Sequence, residues 1–211
     1  DCGGDNDGMA ADTVASELLT QGIRKLDGVI LTHYDDDHAG GIQNLISRIQ
    51  AEKLYLPDIS DSGNIKNELA KQYSDRIHWI SEQSEILEPG IKFTLFVGNK
   101  DTDDNESCMC VLFQRENCDI LITGDRNLSG EADLLAQTNL PKLDVLIAGH
   151  HGSGSATGLP LLQATKPDVA IISVGKDNFY GHPAQEVLNR LKLFHCHICR
   201  TDIDGTILIR G

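Results

Sequence analysis

Six consecutive positions, His33 to His38, carry two histidines and three aspartates directly after an apolar run. Their spacing, His33-x-Asp35-x-Asp37-His38, packs four ligand-type side chains into one short loop. Carboxylates this close repel one another, and none of them can sit in a core. A divalent cation among them converts that repulsion into attraction. A solvated acidic turn at a helix start accounts for one or two aspartates; it does not account for four alternating ligand-type residues hemmed between "VILT" and "AGG".

Two later segments end in the same kind of residue. "LITGD" brings Asp125 to the exit of an apolar strand, and "VLIAGHHGS" brings His150 and His151 to the exit of another. Either segment alone is an ordinary strand-to-turn junction. In combination with the first cluster they point to a metal centre built at strand ends, where rigid scaffolds present functional groups. A second tier consists of His151, Ser153 and His182, with Lys176 and Asn178 as phosphate contacts. His182, in "NFYGHP", is placed to donate a proton to a leaving group; it also reads as a residue that orders the entry to the last helix. Lys176 also reads as an ordinary exposed lysine.

The elements that position these residues follow from periodicity. "DTVASELLTQG" predicts a helix with Asp12 as N-cap, Gly22 as stop, and Val14, Leu18 and Leu19 inward. "LDGVILT", the helix "AGGIQNLISRIQ" with Ile42, Leu45, Ile46 and Ile49 at helical spacing, and "KLYLP" form a strand, helix, strand unit. A helix at "SGNIKNELAKQYS" and a strand at "RIHWI" come next. "IKFTLFV", with Ile91, Phe93, Leu95 and Val97 alternating, "CMCVLFQ" and "CDILITGD" predict antiparallel sheet, the last two joined by a turn at Glu116 and Asn117; residues 98–107 read as a polar loop. The second half alternates helix and strand and closes on "TDIDGTILI", a turn at Gly205 between two short strands. The pattern predicts an α/β fold, with mixed sheets covered by helices in a layered sandwich, as one domain over 1–211.

Composition narrows the function classes. A formal net charge of -14 repels nucleic acid at long range unless cations or a basic partner intervene, which counts against a free-standing DNA-binding module. No apolar run approaches the roughly 20 residues that span a bilayer, and no signal peptide is visible. "DCGG" reads as a strand end and its turn, an opening that implies upstream sequence. The cysteines, Cys2, Cys108, Cys110, Cys118, Cys196 and Cys199, lack the spacing of a disulfide framework and read mostly as buried thiols. "FHCHICRTD" offers four zinc-type ligands, yet strand alternation sends Cys196 and Ile198 to one face and His197 and Cys199 to the other. The structural reading is therefore favoured.

In this order "THYDDDHAGG", "TGD" and "GHHGS" resemble the metal-binding motifs of the metallo-β-lactamase superfamily, an αββα fold of mostly dinuclear hydrolases. With "DCGG", "SVGKDNFYGHP" and "RTDIDGTILI" added, the resemblance is strongest to the C-terminal domains of the ComEC family of bacterial DNA-uptake channels. The resemblance implies two divalent ions: His33, Asp35 and Asp125 hold one, Asp37, His38, His150 and the bridging Asp125 the other. Asp37, His151 and His182 are then the catalytic candidates. The implied activity is phosphodiester hydrolysis of DNA, single-stranded or the strand not imported, by an extracytoplasmic domain of a bacterial cell-membrane protein. The rest of the channel is the implied partner, and the chain itself makes no membrane contact.

Two departures from the superfamily pattern bear on the metal. Position 35 is aspartate where many members have histidine, and the histidine usual before "TGD" has no counterpart, since His78 falls in the strand "RIHWI". Asn105 and Ser107 are the polar residues nearest that slot. An oxygen-rich first site favours Mn²⁺ or Mg²⁺ relative to Zn²⁺, with Mn²⁺ or Zn²⁺ the expected ions and Mg²⁺ a third candidate. Two alternatives stay open: hydrolysis of small esters, lactones or phosphorylcholine on the same fold, and an inactive scaffold of the channel.

Overall fold

The computed structural model describes residues 9–99 and 104–210. The expected strand end at "DCGG", Cys2 and part of the loop 98–107 lie outside the described residues. The chain divides into two compact units, Asp1–Ser81 and Glu82–Gly211.

In the first unit, α1 (Met9–Thr20), β1 (Lys25–Ile30), α2 (Asp36–Ala39), α3 (Ile42–Arg48), β2 (Gln50–Pro57), α4 (Ile65–Tyr73) and β3 (Ile77–Ile80) follow in chain order. The three strands form a parallel sheet in the order β1-β2-β3. Helical spacing of Ile42, Leu45, Ile46 and Ile49 gives α3 its apolar stripe, and all four are buried. Each contributes about 1.5–3 kcal/mol by leaving water. α1 begins three residues earlier than its sequence signal, so Asp12 lies in its first turn instead of capping it. The Asp12 carboxylate there accepts from Arg48 at 2.8 Å and Asn44 at 3.1 Å, which ties α1 to α3. The fully buried residues of the inward face are Ala11 and Ala15, whose small side chains admit close approach; Val14 and Leu18 are half-buried and Leu19 is exposed.

The second unit contains β4 (Ser84–Glu88), β5 (Ile91–Phe96), α5 (Asp104–Ser107), β6 (Cys110–Arg115), β7 (Cys118–Ile122), α6 (Leu128–Gln137), β8 (Val145–Ile147), α7 (Leu159–Thr165), β9 (Val169–Ile172), α8 (Gln185–Leu193), β10 (His197–Arg200) and α9 (Thr201–Asp204). Its seven-stranded sheet runs β10-β9-β8-β7-β6-β5-β4, antiparallel from β4 to β7 and parallel from β7 to β10. Leu121, Leu146, Ala170 and Ile172 of the sheet pack with Leu134 of α6, Leu162 of α7 and Leu191 of α8 in one core.

Three details differ from the sequence reading. β4 escaped it, because "SEILE" is too short and charged to signal a strand; backbone pairing with β5 supplies what its side chains lack. On β5, Thr94 and Phe96 are buried as well as Leu95, so both faces are covered at its end and the alternation fails there. At the C-terminus, residues 201–204 coil into α9 and no second strand follows among residues 205–210. Local polar closure outcompetes pairing there: Asp204 accepts from the Arg200 N–H at 2.7 Å, and the Thr201 hydroxyl donates to Val174 O at 2.8 Å. The alternation at β10 holds, with Cys196 and Ile198 packed toward the core and the Cys196 thiol donating to Pro167 O, which supports the structural reading of that segment.

Candidate functional site

Within the first unit the donors sit where β1 gives way to α2. Burial alternates as Leu31 and His33 turn inward, and Tyr34 is locked below them by donating its hydroxyl to Pro57 O at 2.7 Å. Burial pushes the Tyr34 phenol well above its usual range, so it stays a neutral anchor. Asp35 occupies the N-cap position of α2, and its carbonyl accepts from His38 and Ala39 N–H, which leaves its carboxylate uncommitted to capping. That single helical turn brings the motif together. The His33 and His38 rings lie 4.0 Å apart between centroids; His33 Nε2 is 3.8 Å from Asp35 Oδ2 and His38 Nε2 is 3.6 Å from Asp37 Oδ2. Both imidazoles are buried, while the Asp35 and Asp37 side chains remain 45% and 49% exposed, a floor of nitrogen donors rimmed with carboxylates.

Within the second unit, parallel pairing aligns Ile122 of β7, Ile147 of β8 and Ile171 of β9. Asp125 follows the first by three residues and His150 the second by three, so register alone places them at one sheet edge. Asp125 is 3% exposed, with Oδ2 at 3.5 Å from His150 Nε2. The turn after β8 is unusual: His150 (φ 49°), His151 (φ 52°) and Gly152 (φ 80°) are all left-handed. For two consecutive side-chain-bearing residues that conformation costs free energy, and such strain persists only where the surroundings enforce it. The enforcing bonds are Gly124 O to His150 N–H, Gly149 O to Gly152 N–H and Gly152 O to Ala184 N–H.

The strained turn sets both rings. His151 Nδ1 lies 2.8 Å from Ser173 O; a carbonyl only accepts, so Nδ1 carries the proton and the Nε2 lone pair is left for another partner. One ligand-type atom of His151 and one of Asp125 lie within 4.8 Å of each other. His150 Nδ1 is buried without a hydrogen-bond partner among the described residues. His182 stands 5.9 Å from the His150 ring, and burial together with His150 and His151 lowers its pKa. These observations fit a divalent cation: a buried orphan nitrogen, a tautomer-fixed imidazole and a buried carboxylate are a recognised donor chemistry.

Sequence reasoning missed the bracket behind this turn. Glu131 of α6, 2% exposed, accepts from Thr157 N–H at 2.6 Å and Gly158 N–H at 2.8 Å. The Thr157 hydroxyl in turn accepts from Gly149 N–H at 3.2 Å, one residue before His150. From the opposite side, Arg190 of α8 donates to Gly154 O at 2.9 Å and Ala156 O at 2.8 Å. Arg126, next to Asp125 and fully buried, donates to Cys108 O, Gly130 O and Phe96 O at 2.8, 3.1 and 3.0 Å, stapling three segments around the aspartate. An arginine beside a ligand-type aspartate was the available signal; its carbonyl partners, up to 30 residues away, were not.

Other sequence candidates are placed differently. Asn178 spends its side chain inside its own loop, donating to Gly175 O and His182 O and accepting from His182 N–H, so it braces the loop. Ser153 pairs with Ser155, and Lys176 is exposed. His78 lies on β3 stacked against Tyr55, as its strand position implied.

Comparison with known proteins bears on the family and the fold. The model of the metallo-beta-lactamase superfamily matches residues 1–176. ComE operon protein 3 of Bacillus subtilis is 31% identical over 92% of this chain and 26% of its own, and recombination protein 2 of Haemophilus influenzae is 32% identical over 95% and 24%. The chain thus spans about a quarter of the length of the curated relatives it matches. Among solved structures, CmlA, a diiron beta-hydroxylase from Streptomyces venezuelae, matches with a TM-score of 0.61 at 14% identity over 84% of this chain and 44% of its own. The metallo-beta-lactamase fold protein YhfI from Bacillus subtilis matches with 0.53 at 14% identity over 83% and 74%.

Proposed function

Because the chain belongs to the metallo-β-lactamase superfamily and carries carboxylate-rich donor groups at its strand ends, we propose that it is a metal-dependent phosphodiesterase that cuts DNA during bacterial DNA uptake. The observation that carries the reading is Asp125, a carboxylate 3% exposed at the end of β7 and facing His150, in a chain 31% identical to ComE operon protein 3. The motif resemblance supplies DNA uptake as context, and the donor chemistry supports hydrolysis.

His33, Asp35, Asp37, His38, Asp125 and His150 are the proposed ligands, drawn from both donor groups. The fixed tautomer of His151 adds it to them as a further ligand. Two divalent ions, Mn²⁺ or Zn²⁺ with Mg²⁺ as a third candidate, would supply an acidified water and charge neutralisation at the phosphate. The protein's own residues do the rest. Asp37, half-exposed at the rim, accepts the proton of the attacking water. The Ser173 carbonyl keeps the His151 lone pair aimed, and the Arg126 staple keeps Asp125 from relaxing into solvent. An N–H of His182 is assigned to the leaving oxygen. Among the described residues no helix is long and apolar enough to cross a membrane; the chain is proposed as an extracytoplasmic portion of a membrane channel, the rest of that channel being its partner.

The test is cleavage of a labelled DNA oligonucleotide by chelator-stripped protein with Mn²⁺, Mg²⁺ or Zn²⁺ added back. Metal-dependent cutting that Asp125→Asn and His33→Ala each lower by about 100-fold or more is expected, the scale on which catalytic electrostatics are lost. Metal binding without cutting would overturn it.

A further inference from the structure

Resting on the reading of the site as a DNA phosphodiesterase, we infer that Phe179 and Tyr180 form a stacking platform for an unpaired nucleobase next to the scissile phosphate, so that single-stranded DNA is the substrate. The two aromatics are adjacent on the loop between β9 and α8, and both project into solvent, Phe179 at 104% and Tyr180 at 84% relative exposure. Two neighbouring rings left largely in water forgo most of the apolar burial that aromatic side chains ordinarily gain. The loop that carries them is nonetheless braced: three hydrogen bonds of the Asn178 side chain hold its ends at Gly175 and His182. Rings presented on a pre-formed turn lose little conformational freedom when a ligand covers them.

Position decides what that ligand is. The Tyr180 ring stacks on His182 at 5.9 Å and 16°, and the His182 ring stands 5.9 Å from that of His150. The rings of His150, His182 and Tyr180 therefore follow one another from the donor residues outward, and Phe179 is the neighbour of Tyr180 in sequence. A phosphate held at His150 and His182 has its attached nucleosides within reach of those rings. Lys176 and Asp177, in the same loop, offset each other in charge, so the loop offers flat surface in place of electrostatic attraction. Stacking is sequence-tolerant, because every base has a π face, and it requires a base out of its helix, because a duplex base already has both faces covered.

The experiment compares an oligothymidylate with an abasic strand of the same length and phosphate count, in the wild type, Phe179→Ala/Tyr180→Ala and Phe179→Trp/Tyr180→Trp. KM is read from cleavage, and Kd from fluorescence anisotropy of the labelled strands at fixed salt. The wild type should favour the base-bearing strand by about ten-fold or more, the scale of base–aromatic stacking. The alanine pair should bring that ratio to about one, and the tryptophan pair should restore it. A ratio unchanged by the alanine pair, or no preference in the wild type, overturns the inference and assigns the rings to docking of another protein segment. Failure to cut either strand, with the base preference in Kd intact and lost in the alanine pair, overturns the nuclease reading and leaves the platform standing. Binding of neither strand overturns both.

Discussion

Glu131 braces the segment behind the strained histidine turn by accepting from the Thr157 and Gly158 N–H groups, in a place where a charge is hard to keep. Burial raises its pKa to about 7, although two backbone N–H donors and the nearby arginines favour the carboxylate. Its folded value lies above its ordinary value of 4.5, so the native state holds a proton that the unfolded chain has released. That contribution is complete below about pH 4.5 and is lost as the pH rises through about 7, a difference of roughly 3 kcal/mol at about 1.4 kcal/mol per unit. Urea midpoints of the wild type should therefore fall between pH 5 and pH 8. Glu131→Gln should abolish most of that slope and lower stability by about 1–3 kcal/mol at pH 5, because its amide NH₂ opposes one of the two N–H donors, and the difference from the wild type should close or reverse by pH 8. A parallel slope in both proteins would refute the assignment. The ligand-type residues were legible in the sequence because apolar runs announce strand ends. Glu131 was not, since it looks like any acidic residue in a first helical turn and its partners are 26 and 27 residues away.

At the scale of the element, the turn after β8 shows how little tolerance that geometry leaves. Gly152 has φ 80°, and a Cβ on it would lie 2.6 Å from the Pro183 Cβ. Gly152→Ala should cost about 1–3 kcal/mol in denaturant unfolding and displace the histidine rings, read as weaker binding of Mn²⁺ by calorimetry. Unchanged stability and affinity would show that the turn accommodates a left-handed alanine. Helices with strong apolar stripes, α3 above all, were legible from spacing. β4 and α9 were not, since backbone pairing makes the first and side-chain-to-backbone bonds the second, and neither leaves a periodic mark. The same blindness hid the Ser173 carbonyl that fixes His151: a main-chain acceptor has no letter in the sequence.

For the whole molecule, a net charge of -14 sets the background against which any cation binds. Divalent ions that bind the native donors and not the unfolded chain stabilise by mass action, about 2.7 kcal/mol at a hundred-fold excess over Kd. Titrating Mn²⁺ into chelator-treated protein should raise Tm by roughly 5–10 °C for a chain of this size. The shift should shrink in Asp37→Asn, whereas the same ionic strength of a monovalent salt should give little; equal shifts from both salts would reduce the effect to screening. The strand order of the larger sheet, β4 to β10 without a skip, bears on how the protein is made. On a ribosome each new strand finds its neighbour already synthesised, and the hairpins β4–β5–β6–β7, whose contacts are local, can pair first. Asp125 leaves the exit tunnel with that early half, but the carbonyl that aims His151 comes only with the residue after β9. The nascent chain therefore carries an unfinished ligand set through most of the sheet's assembly and completes it only when every strand of that sheet but β10 has been made.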